Sequence, residues 1–143
     1  SMLRVTQRAD YGLMAIHDIA VHDAVGSVSA KRIAEEFSIP PELMAKILQR
    51  LAKQGLIESQ NGPKGGYTLS RRPAEITVGE VIRALEGPIN IVSCLEGDCA
   101  QIERCNLRRP VHKLQAAISQ VLDTMSLAEL TSDDVPELLS IKG

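Results

Sequence analysis

Tryptophan is absent from this chain, and Phe37, Tyr11 and Tyr67 are its whole aromatic set. Proteins that grip RNA or single strands stack bases on aromatic rings, so this composition disfavours that mode. No apolar run approaches the ~18 residues a membrane span needs, no segment repeats, and nothing near the N-terminus resembles a signal peptide. Ser1 ahead of Met2 reads as a tag-cleavage scar and is set aside. With only three cysteines, an odd number, the expectation is a protein of a reducing cytoplasm with no membrane association. There is also no phosphate-cradling glycine loop between a strand and a helix, and no evident nucleophile paired with a base. His22 and His112 carry no partner pattern. An enzyme with a small-molecule substrate is therefore not expected.

What is present is unevenly distributed. The formal charge is only -2, yet residues 1–72 carry 10 Lys/Arg against 7 Asp/Glu while residues 73–143 carry 6 against 11. Attraction to a polyanion depends on where the cations lie as much as on their sum, so a basic first half keeps nucleic acid open as a partner. A chain of 143 residues is long enough for one domain with its own core plus an appended element.

Apolar residues at Leu13, Met14, Ile16, Ile19 and Ala20 recur with helical spacing and predict a helix over residues 7 to about 22. Ser29 is a suitable N-cap for a short helix over 30–37, with Ile33, Ala34 and Phe37 inward. Pro40-Pro41 restarts the chain into a third helix ending near residue 53, where Gly55 is the natural stop. The period then changes: "LIES", a turn on "NGPKGG", and "YTL" form a hairpin signature. Thr77 and Glu80 make a capping box at the head of a helix running to residue 86, and "GP" ends it. A cysteine-containing loop follows, then one long apolar-striped helix and, from a second capping box at Ser126 and Glu129, a short final helix.

Three short helices and a hairpin are the order of a winged helix-turn-helix, whose third helix enters the DNA major groove. The expected fold is mainly α with a small β-hairpin wing: a DNA-binding domain over 2–86, a cysteine loop over 87–106, a dimerisation helix and cap helix over 107–130, and a tail over 131–143. On the third helix Met44, Ile47, Leu48 and Leu51 share one face, which leaves Glu42, Lys46, Gln49 and Lys53 outward. Lys reaches guanine or phosphate, Gln pairs with adenine, and Glu accepts from cytosine N4. At the wing, Asn61 and Lys64 are expected to approach the minor groove. The stripe Leu107, Val111, Leu114, Ile118, Val121 and Leu122 spans about five turns and wants a partner. A two-fold homodimer would set two reading helices roughly 34 Å apart on a palindromic operator in double-stranded DNA.

All three cysteines, Cys94, Cys99 and Cys105, fall within "CLEGDCAQIERC". The tight C-x2-C pairs of structural zinc sites are missing, and the C-x4-C-x5-C spacing leaves room for a larger object. Soft thiolates suit an iron-sulfur cluster, and Arg104, Arg108 and Arg109 favour thiolate nearby. A zinc site or a thiol redox switch remains the alternative.

Taken together, "TQRADYGLMAIHDIA", "SAKRIAEEFSIPPELMAKILQRLAKQGLIES", "NGPKGGYTLSR", "ITVGEVIRALEGP", the three cysteines and "LRRPVHKLQAAISQVLDTMSLAEL" resemble the Rrf-two family (Rrf2) of bacterial transcription regulators over residues 2 to about 130. The resemblance implies a homodimeric winged-helix regulator, read as a repressor, whose operator affinity depends on an iron-sulfur cluster that senses nitric oxide, redox state or cluster supply. In the IscR-like branch a His three residues after the last cysteine completes the ligands. Here that position is Arg108, and a guanidinium cannot ligate. His112 is seven residues past Cys105, about 10.5 Å along a helix. In the NsrR-like branch the fourth ligand is an Asp near the start of the first helix, from the other subunit, and the matching residue is Asp10. The resemblance thus implies Cys94, Cys99, Cys105 and Asp10, with His17 and His112 as lesser candidates, and the Asp10 match favours 4Fe-4S over 2Fe-2S. Some members carry Arg at the position of Asn61 and Glu at that of Ala45. The docking mode is therefore carried over, and the operator sequence is not.

Overall fold

The computed structural model describes residues 6–63, 65–89 and 108–131. Thr6 opens α1 (Gln7–Val21) by accepting Ala9 N–H at its hydroxyl, and Ser29 does the same for α2 (Ala30–Glu36) through Arg32 N–H. Pro41 stands at the first turn of α3 (Pro41–Lys53), where a missing N–H costs nothing. Gly55, at φ +80°, takes the left-handed turn that releases the chain from α3. β1 (Ile57–Gln60) and β2 (Gly66–Leu69) pair antiparallel, with Ile57 opposite Leu69 and Gln60 opposite Gly66. A 3-10 turn (Pro73–Glu75) leads into α4 (Val78–Glu86), and Thr77 and Glu80 close the expected capping box reciprocally. α5 (Arg108–Thr124) and α6 (Leu127–Thr131) complete the described elements.

The core gathers Ile16 and Ile19 of α1, Ile33 of α2, Met44, Ile47, Leu48 and Leu51 of α3, Ile57, Ile76, Leu85 and Leu127. It is apolar throughout, with no buried polar residue among those described. Two side chains depart from the expected faces. Met14 points outward, because it stands about 100° round the helix from Ala15 and the buried stripe is narrow. Phe37 caps α2 and is only half buried, packed against the core's edge.

Two long-range joints fix the architecture. Val28, just ahead of α2, bridges Tyr67 of β2 in both directions, with N–H to carbonyl distances of 3.0 and 2.8 Å. A Cβ on Gly66 would fall 2.6 Å from the Val28 carbonyl, so only glycine admits this approach. At the other end, Leu127 N–H donates to Ile76 O at 2.8 Å and Val78 N–H to Met125 O at 2.9 Å. α6 therefore returns to α1 and the 3-10 turn, and Leu127 is wholly buried there.

Candidate nucleic-acid interface

α3 is strongly two-sided. Its buried residues are Met44, Ile47, Leu48 and Leu51, while Glu42, Lys46, Gln49 and Lys53 are all exposed. At 100° per residue these four fall within an arc of about 60°, a single narrow face. α2 packs against α3 across a turn in which Ser38 takes φ +53° and buried Ile39 donates its N–H to Ala34 O at 2.9 Å. This is the arrangement that lets one helix brace a second while the second presents its outer face to a groove. Asn61 is exposed at the start of the hairpin turn. Lys64 lies outside the described residues.

Two cations that sequence patterning passed over stand beside this face. Arg8, on the first turn of α1, and Arg50 of α3 line a cleft of about 500 Å³ together with Leu43, Lys46, Ile47, Gln49 and Lys53. Arg50 Nε donates to Ala84 O at 2.9 Å, which fixes its guanidinium against the last turn of α4. Arg8 Nε is 3.6 Å from Glu86, whose carboxylate also accepts the Thr6 hydroxyl. Arg8 is separated from α3 by more than thirty residues, so no local spacing could place it there.

The expected cluster ligands are only partly visible. Cys94, Cys99 and Cys105 lie outside the described residues, and no three His, Cys, Asp or Glu side chains converge among the described ones. Asp10 is exposed on the first turn of α1, and its carboxylate has no hydrogen bond or ion pair among those residues. His17 Nε2 is 3.1 Å from Leu130 O, a contact that needs its proton on that nitrogen. His112 is exposed on α5.

Of the expected dimer stripe, Leu107 lies outside the described residues. Val111, Ile118 and Leu122 are half buried, whereas Leu114 and Val121, seven residues apart on one line of α5, are 49% and 44% exposed. α5 packs on α4, and Asp123 receives a two-pronged contact from Arg83 at 2.5 and 3.0 Å. That contact holds the Asp123 carboxyl below the usual range and the Arg83 guanidinium above its own. Gln115 also donates to Ile89 O, which ties the chain just past α4 to the long helix.

The family model described as Rrf2, iron-dependent transcriptional regulator, matches residues 5–133. The chain belongs to the Rrf2 family. Among its curated relatives is the transcriptional regulator NsrR of Geobacillus kaustophilus, 34% identical over 134 residues that cover 92% of this chain and 91% of the relative. The structure of CymR, the global cysteine regulator of B. subtilis, superposes with a TM-score of 0.78 at 33% identity, covering 94% of this chain and 100% of that one. The structure of T. potens IscR superposes with a TM-score of 0.75 at 32% identity, covering 99% and 94%. This Rrf2 protein is thus a DNA-binding transcriptional regulator rather than an enzyme, with the mainly helical, winged architecture expected. Among the described residues no helix is long and apolar enough to cross a membrane.

Proposed function

We propose that this regulator is a homodimer that reads a palindromic operator with α3 and its wing, and that an iron-sulfur cluster sets its affinity. The observation that carries the proposal is the donor set: three thiols within twelve residues, in the segment that follows α4, on whose Ala84 carbonyl Arg50 of α3 is held, in a chain whose family is described as iron-dependent. Cys94, Cys99 and Cys105 supply soft thiolates, and Asp10 of the partner subunit supplies a carboxylate. The exposure of Asp10 and its lack of a partner among the described residues suit a side chain that reaches outward. A bound 4Fe-4S cluster would supply a site that reacts with nitric oxide or oxygen, and an oxygen ligand, more exchangeable than thiolate, would leave one iron accessible.

The rest of the switch belongs to the protein. Glu42, Lys46, Gln49 and Lys53 face the major groove, Asn61 and Lys64 approach the minor groove, and Leu114 and Val121 join the apolar seam between subunits with Leu107, Val111, Ile118 and Leu122. The chain beyond α4 is tied to α5 at Ile89, and α4 is tied to α3 through Arg50. A change in the cysteine segment therefore pulls on the seam and on the reading helix together, a coupling of a few kcal/mol at most. A second reading, a zinc- or thiol-dependent regulator without a cluster, is favoured by the likeness to CymR, named for cysteine regulation.

The test is iron and acid-labile sulfide content with a Mössbauer spectrum, on iron-57 protein purified without oxygen, followed by DNA binding before and after cluster removal. Four irons per protomer and a changed affinity at fixed salt are expected. Zinc without sulfide, or equal affinity in both states, overturns the proposal.

A further inference from the structure

The cleft beside α3 collects four cations, Arg8, Lys46, Arg50 and Lys53, and no carboxylate lines it. Leu43 and Ile47 form apolar wall, which weakens water's screening of an anion seated there. Lys46 and Lys53 belong to the face already assigned to the groove. Arg50 stands about 40–60° round the helix from them, on the flank turned toward α1, and Arg8 closes the cleft from that side. A helix laid in a major groove about 12 Å wide has a phosphate backbone along each flank, so cations displaced from the reading face meet phosphate rather than base edges.

We propose that this cleft seats one backbone phosphate of duplex DNA, with Arg8 and Arg50 as contacts additional to the reading face and Glu86 holding Arg8 until DNA arrives. This inference rests on the docking of α3 in the groove. Arg50 is pre-set, because its Nε is engaged with Ala84 O while its terminal nitrogens have no partner among the described residues. Arg8 is held loosely: its pair with Glu86 is 3.6 Å long, and its side chain is 51% exposed. A phosphate offers a shorter, two-pronged contact and outcompetes a 3.6 Å pair with a carboxylate already engaged by Thr6.

The experiment is fluorescence anisotropy of full-length protein, purified without oxygen, on labelled 40-base-pair duplexes that the wild type has selected from a random pool. Binding is titrated from 50 to 200 mM salt for wild type, R8Q, R8K, K46Q and, as a distant control on α5, K113Q. R8Q is expected to flatten the salt slope by about 0.9 per protomer, so that for a dimer the ratio of affinities across this range shrinks about twelvefold. R8K keeps the charge and is expected to restore most of the slope, and K113Q to leave it unchanged. A wild-type slope for R8Q alongside a flattened one for K46Q removes the phosphate seat and leaves the docking of α3 standing. Wild-type slopes for both remove the docking as well. A slope for R8K as flat as that of R8Q would mean the residue acts through shape and would also overturn the proposal.

Discussion

Replacing Leu127 by alanine tests whether α6 is part of the core or an ornament on it. Leu127 is fully buried and is the only buried residue of the five-residue α6. It sits in one cluster with Ile16, Ile19, Ile76 and Leu85. Removing three carbons at about 0.8 kcal/mol each forfeits about 2.4 kcal/mol of transfer energy. A residual cavity adds to this, and Leu→Ala changes in well-packed cores cost about 2.7–5 kcal/mol. The lower end applies here, since a helix of five residues can shift inward and part-fill the space. Its other ties among the described residues include Leu127 N–H to Ile76 O, the His17 contact at Leu130 O, and the Ser126–Glu129 capping box, with Val78 N–H to Met125 O just ahead of it. The expected loss is about 3 kcal/mol. Urea unfolding followed by far-ultraviolet circular dichroism measures it, at one fixed protein concentration because the proposed homodimer would make apparent stability concentration-dependent. A loss below about 1 kcal/mol with an unchanged denaturant slope would show that α6 does not complete the core, and the account of the Ile76 and Met125 joints would fail with it.

Gly66→Ala drives a Cβ to 2.6 Å from the Val28 carbonyl and must open the paired bonds between Val28 and Tyr67. The expected cost is about 1–3 kcal/mol, with faster amide exchange at Val28 and Tyr67 by NMR. Wild-type exchange at both would refute the close approach. The Arg83–Asp123 pair contributes stability with a defined pH dependence. Because the folded Asp123 carboxyl is depressed, the unfolded chain binds more protons at acid pH, so the contribution is present above the ordinary carboxylate value, about 3.9, and is lost as pH falls through the lower folded value. Both side chains are more than a third exposed, which limits the effect to about 1 kcal/mol or less. Asp123→Asn is expected to be slightly less stable than wild type at neutral pH and to match it in strong acid. A gap that persists or widens in strong acid would contradict the assignment.

Local signals carried most of the fold. The caps at Thr77, Ser29 and Ser126, the stop at Gly55 and the hairpin around Asn61 all act over a few residues, and each fell where its spacing placed it. The face of α3 was legible for the same reason, since Met44, Ile47, Leu48 and Leu51 mark the inner side by period alone. Contacts between distant segments were not. The bridge from Val28 to Tyr67, the return of Leu127 to the core and the arrival of Arg8 beside α3 are consequences of packing, with no periodic trace in the residues concerned. Asp10 shows the limit from the other side. Its first-turn placement is visible locally, but any role as a ligand came from family resemblance, and an exposed carboxylate by itself does not distinguish that role from helix-dipole stabilisation.

The bridge between Val28 and Tyr67 has one further effect. Leu56 N–H reaches Leu51 O, Ser70 N–H reaches Leu56 O, and the wing's second strand is fastened to the lead-in of α2. Among the described residues, the step from α3 into β1 and the return of β2 are thus both held by main-chain hydrogen bonds. A part built this way works as a fixed gauge: the distance between what the helix touches and what the wing touches is cast into the protein. On the proposed docking of α3 and the wing, a mismatch in a binding site falls to the DNA, through bend and twist whose energy depends on sequence. Discrimination would therefore extend to base pairs that no side chain reaches.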